Sequence, residues 1–126
     1  VNILKRAKEL AGKGVELYCS SALKHFLYHQ VCAANFTEET LKIFSKLDDY
    51  DVLSAIKEWV HHEDKILSLL AKMIVDRKLL KIEIQQEAFK EKYVLKKRDK
   101  AIKKLNISEE EVGYFVFHQE ISNQAY

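Results

Sequence analysis

Leu47-Asp48-Asp49-Tyr50-Asp51-Val52-Leu53-Ser54-Ala55-Ile56-Lys57-Glu58-Trp59 opens the stretch that decides the fold. Asp48 or Asp49 can cap a helix here, and Asp51 suits its positive first turn. Val52, Leu53, Ile56 and Trp59 recur at helical spacing, so the only tryptophan anchors an apolar face and is predicted to be buried. His61-His62-Glu63-Asp64 follows, with Asp64 placed to cap a second helix in which Leu67, Leu70, Ile74 and Arg77 repeat every three or four residues. After Arg77 the period changes from helical to alternating. Leu80, Ile82 and Ile84 occupy every second position of Leu79–Ile84, which predicts a half-buried strand.

Upstream, Ile3, Leu4, Ala7, Leu10 and Ala11 share one face of a helix that ends near Gly12 and Gly14. Ser20 or Ser21 can cap a second helix reaching about Ala34, with Leu23, Phe26, Leu27 and Val31 apolar. Thr37, supported by Glu38 and Glu39, caps a third helix whose Leu41, Phe44 and Leu47 are expected to face inward. Downstream, Glu87–Leu105 reads as a lysine-rich helix with Phe89, Tyr93, Ala101 and Ile102 as a thin apolar stripe, and Asn106 as its C-cap. Ser108 with Glu109–Glu111 starts a short helical turn. Gly113–His118 is rich in strand formers and is expected to pair near Leu79–Ile84.

The expected fold is therefore α+β and predominantly α-helical: a bundle of about five helices over residues 1–78, then a strand-helix-strand part over residues 79–126. A chain of 126 residues is one domain or part of one, and burying roughly 65–70% of its unfolded surface gives it a real core. No proline and three glycines fit long helices and few tight turns. A net charge of +2 supplies no global attraction to nucleic acid or acidic membranes. Cys19 and Cys32 lack redox spacing, and no signal peptide or membrane span is visible, so the cytoplasm is the expected compartment. The chain begins at Val1 without methionine and stops at Ser-Asn-Gln-Ala-Tyr, which suggests a piece excised from a longer protein.

The Leu-Asp-Asp helix ending in Trp, the second helix, and the junction Arg77-Lys78-Leu79-Leu80-Lys81 together resemble the region downstream of the catalytic core in HD-domain phosphohydrolases related to the deoxynucleoside triphosphate triphosphohydrolases. Their junction reads Arg-x-Leu-Phe-Lys, and Leu80 stands here in place of Phe. The resemblance covers most of the chain and is closest over residues 41–84. It implies a parent enzyme that hydrolyses nucleotides or related phosphoesters with a divalent metal, held by an HD motif upstream of Val1. The segment would carry no cofactor itself. It would complete the HD domain, join subunits of a homo-oligomer, and line a regulatory nucleotide site at which Arg77 and Lys81 contact phosphates. Neither a membrane nor nucleic acid is an expected partner.

The residues also allow plainer readings. Arg77 can pair with Asp48, Asp76 or Glu83 while Lys81 stays solvated. His25, His29 and Cys32, at i, i+4 and i+7 of one predicted helix, are candidate zinc ligands; the alternative is a packed histidine pair. Four adjacent residues, His61–Asp64, cannot surround a metal as separated HD ligands do, so they read as a polar turn plus a cap. There is no Gly-rich phosphate loop and no nucleophile elbow, hence no complete catalytic set. The lysines from Lys90 to Lys104 leave one rival, a stand-alone helical adaptor or basic nucleic-acid-binding module, although a solvated helix face explains them as well.

Overall fold

The computed structural model describes residues 1–121, and its regular structure is helical throughout. The elements are α1 (Asn2–Gly12), α2 (Ser21–Tyr28), α3 (Glu38–Ser45), α4 (Asp49–Trp59), α5 (Lys65–Val75) and α6 (Glu91–Leu105), with 3-10 turns at Ala33–Asn35 and Val112–Tyr114. The chain divides into two compact units, Val1–Leu79 and Leu80–Tyr126. Among the described residues no helix is long and apolar enough to cross a membrane.

In the first unit, four helices begin where a short polar side chain takes up a free N–H. Ser20 accepts from Leu23, Thr37 from Thr40, Asp48 from Tyr50 and Asp51, and Asp64 from Leu67. Asp51 returns the favour by accepting the Asp48 N–H at 2.9 Å, closing a capping box. Each such cap contributes about 1 kcal/mol. The core joins Ile3, Ala7 and Leu10 of α1, Leu23 and Leu27 of α2, Ile56 and Trp59 of α4, and Ile66, Leu67 and Leu70 of α5. Here α1 packs on α2 and α5, and α4 packs on α5. Trp59 is 1% exposed, and its indole N–H donates to the Tyr18 carbonyl at 2.9 Å. A buried indole needs such an acceptor. The Tyr28 hydroxyl pins the same connecting loop, donating to the Val15 carbonyl at 2.7 Å and accepting the Leu17 N–H at 3.0 Å. Gly14, at φ 81°, supplies the left-handed residue on which that loop turns.

The second unit is built on α6 and the 3-10 turn, with Ile107, Val112, Tyr114 and Phe115 buried. Asn106 ends α6 in the left-handed conformation at φ 53°, as its C-cap position predicts. Ser108 and Glu111 then exchange hydrogen bonds, side chain to backbone, at 3.2 Å in both directions.

Four expectations need correction. No strand forms among the described residues, so the strand-helix-strand part is instead a helix between irregular segments. Gly113–His118 begins inside a 3-10 turn, with the Phe115 and Val116 N–H groups both donating to the Val112 carbonyl. Local bonds win because a lone alternating segment gains nothing without a ladder partner. Along Leu79–Ile84, Ile82 and Ile84 are 79% and 80% exposed rather than half-buried. The far end of that expected part, residues 122–126, lies outside the described residues.

The second correction is the end of α2, which stops at Tyr28 rather than near Ala34 because His29 turns extended at φ −117° and ψ 144°. The Asn35 side chain explains this: it accepts the Cys32 N–H and donates to the Gln30 carbonyl, both at 2.7 Å, and so outcompetes further helical bonds. Third, α3 turns Thr40 inward, while Leu41 and Phe44 stay 52% and 56% exposed. It packs on α2, where Phe44 meets Phe26 edge to face. Last, α6 starts at Glu91 instead of Glu87, with no side-chain cap at Lys90 to extend it backwards.

Candidate functional site

The end of α5 creates the best-defined polar junction. The Lys78 N–H donates to the Met73 carbonyl at 2.8 Å, and the Arg77 N–H donates to Ile74 at 3.2 Å. This double closure is a Schellman motif, and it requires a left-handed residue at Arg77, which sits at φ 57°. Glycine normally fills that slot, because a side chain there costs about 1–2 kcal/mol. Arg77 is exposed, and among the described residues no ion pair joins it to an acid, including Asp48, Asp76 and Glu83. Its guanidinium is thus presented as a fork of five donors. Lys81 stands 3.5 Å from Glu83 with its side chain 82% exposed. The two candidate phosphate ligands fall in different units, Arg77 in the first and Lys81 in the second.

His25, His29 and Cys32 do not share a helix face. With α2 ended at Tyr28, His29 stacks on His25 with ring centroids 4.7 Å apart and its Nδ1 lies 3.0 Å from the His25 carbonyl. Cys32 is exposed at the start of the 3-10 turn. Among the described residues no group of three His, Cys, Asp or Glu side chains is arranged to hold a metal.

His61–Asp64 makes a turn whose polar atoms are engaged. Asp64 caps α5 through Leu67 and receives a two-pronged bond from Arg6, at 3.2 Å from Nε and 2.7 Å from Nη2. Burial pushes the Asp64 carboxyl up, but the Arg6 and Leu67 bonds, with the charge of Arg6, outweigh it and hold the pKa below the ordinary value. His62 Nδ1 accepts the Asp64 N–H at 2.9 Å, so the other ring nitrogen is the one left to donate to the Glu16 carbonyl, 3.3 Å away. Sequence reasoning placed the cap but missed Arg6, which lies 58 residues away in α1. Its only signal was a cation on the flank of an apolar stripe.

In the second unit, residues 80–84 and 115–121 flank α6 around an open cavity of about 480 Å³. Phe89 and Tyr93 stack with centroids 6.0 Å apart, and Lys97 lies 5.4 Å above the Tyr93 ring. The Tyr93 hydroxyl donates to Glu83. That bond, aided by Lys97 and Lys81, holds the Glu83 carboxyl below its usual range, and the same bond to Glu83 raises the Tyr93 hydroxyl. The sequence offered Tyr93 as part of an apolar stripe and Glu83 as a possible partner of Arg77; their bond to each other was missed because it exists only once the two residues meet in the fold.

No protein-family profile and no curated protein matches the chain. Among solved structures, it is similar to a phosphohydrolase of Bacteroides thetaiotaomicron, with a TM-score of 0.86 and 36% identity over 90% of its residues. The match spans 29% of the phosphohydrolase's own length, so the chain corresponds to less than a third of that protein. The relation to a phosphohydrolase extends to sequence as well as fold.

Proposed function

We propose that the chain is the C-terminal segment of an HD-superfamily, metal-dependent phosphohydrolase acting on nucleotides or related phosphoesters in the cytoplasm. In this reading the metal ligands and the reacting groups come from residues outside these 126. The segment completes the domain, contributes to assembly into a homo-oligomer, and presents Arg77 and Lys81 to the phosphates of a regulatory nucleotide. The carrying observation is the likeness to a phosphohydrolase across nearly the whole chain. The geometry of Arg77 supports its assigned role: a cation is kept in a strained glycine slot, exposed, with no ion-pair partner among the described residues.

A triphosphate would meet a bidentate fork at Arg77 and a point charge at Lys81. Removing either group is expected to weaken nucleotide binding roughly ten- to hundredfold. The experiment is a nucleotide titration of the full-length parent, following activity and oligomer size for wild type, Arg77→Ala and Lys81→Ala. Both variants should need more nucleotide for assembly or activation while retaining the metal. Titrations that coincide with wild type for both variants would make the pair structural and end the regulatory reading.

A further inference from the structure

Leu80-Lys81-Ile82-Glu83-Ile84 lies outside every helix and pairs with no strand among the described residues. No backbone hydrogen bond to another element forms along it among those residues. Its amides and carbonyls are therefore available to a second extended segment, while Ile82 and Ile84 stand 79% and 80% exposed. A scattered surface apolar residue is ordinary, but an alternating apolar series on an unpaired, strand-forming segment is an open edge.

The order of side chains points to the occupant. Read in either direction, the stretch runs apolar, cation or anion, apolar, opposite charge, apolar. Antiparallel pairing about a two-fold axis at Ile82 sets Ile82 against Ile82 of a second copy and Leu80 against Ile84. It also sets Lys81 against Glu83 twice. An axis centred on Lys81 opposes two lysines, and one centred on Glu83 opposes two glutamates. Registers offset by one residue set a charge against an apolar side chain. A two-fold interface must be self-complementary, and only the Ile82-centred register is.

We infer that residues 80–84 form a β-pairing edge joining two copies of this chain in an antiparallel contact centred on Ile82. This deepens the assembly role proposed above and rests on that part of it alone; it needs no nucleotide. Glu83 is already fixed on its own chain by Tyr93 and Lys97, 3.9 Å away, so its carboxylate is held in place before pairing. The bond it shares with its own Lys81 is exposed and weak enough to be exchanged. Lys81 keeps further donors after a cross-strand pair forms. Five residues a side make a small contact, at the weak end of specific association.

The test is sedimentation equilibrium of the chain without nucleotide, over a concentration series, with circular dichroism confirming that each variant is folded. Wild type should dimerise. Lys81→Glu and Glu83→Lys each place like charges opposite one another in both symmetric pairs, and each should weaken association about tenfold or more. The same-chain double exchange should recover it, and so should an equimolar mixture of the two single variants, which can pair only with each other. A monomeric wild type, single variants that associate like wild type, or a mixture that stays monomeric would each overturn the inference. None of those results touches the response of Arg77 to nucleotide, so the two readings fail separately.

Discussion

Trp59 illustrates how one side chain couples distant parts of the first unit. Its ring is buried in the core while its N–H satisfies a carbonyl in the α1–α2 connection, 41 residues away. Trp59→Ala would leave both a cavity and an unanswered carbonyl. The expected loss is on the order of 3–5 kcal/mol, a large share of a small domain's stability, measurable by denaturant unfolding. A loss below about 1 kcal/mol would contradict the burial. Asp64 makes a second prediction, in pH. Its folded pKa is lowered, so its stabilisation is fully present above the unfolded value, about 3.9, and is lost as pH falls from there through the folded pKa. Wild type should therefore lose stability more steeply below about pH 4 than Asp64→Asn, which retains a capping side chain but cannot titrate. Parallel acid profiles for the two proteins would remove the Arg6–Asp64 pair from the account.

Helix starts were legible in the sequence because they are local: Ser20, Thr37, Asp48 and Asp64 each need an N–H only two or three residues ahead. Helix ends and strands were less so. The stop at Tyr28 depends on Asn35 folding back to Gln30 and Cys32, a competition that apolar periodicity does not register. The alternation over Leu79–Ile84 predicted a half-buried strand that does not form among the described residues, since pattern alone does not supply the second strand. For the same reason Arg77 was found through the junction motif, not through any helix-stop signal, since an arginine occupies the position where glycine would have marked the end of α5. That substitution gives an element-scale prediction. Arg77→Gly should relieve the left-handed strain and raise stability by up to about 1 kcal/mol, less whatever the freer glycine costs in the unfolded chain. Thermal unfolding of wild type, Arg77→Gly and Arg77→Ala should rank glycine highest, with alanine still strained. A glycine variant less stable than wild type would show that the arginine side chain contributes to the fold.

At the scale of the whole chain, the regular structure of the described residues is helical, and among them no group of three His, Cys, Asp or Glu side chains is arranged to hold a metal. An HD site needs separated histidines and aspartates converging from different helices, and here the histidines and the acid closest to that pattern sit in one turn. Both oxygens of Asp64 already serve Arg6 and Leu67, and His62 accepts from the Asp64 amide through Nδ1. Freeing them to bind an ion would uncap α5 and break the link between α1 and α5, so any gain at a metal must first offset two structural losses. His61 is exposed beside them, and among the described residues no second and third donor is arranged with it as a bound ion would need. The isolated 126-residue chain is therefore expected to hydrolyse neither nucleoside triphosphates nor synthetic phosphodiesters when supplied with Mg²⁺, Mn²⁺ or Zn²⁺. The decisive measurement is product release by purified chain against time, beside His61→Ala and His62→Ala. Turnover that persists through purification and disappears in either variant would place chemistry in this turn, and the division of labour proposed between the segment and the rest of its parent would have to be abandoned.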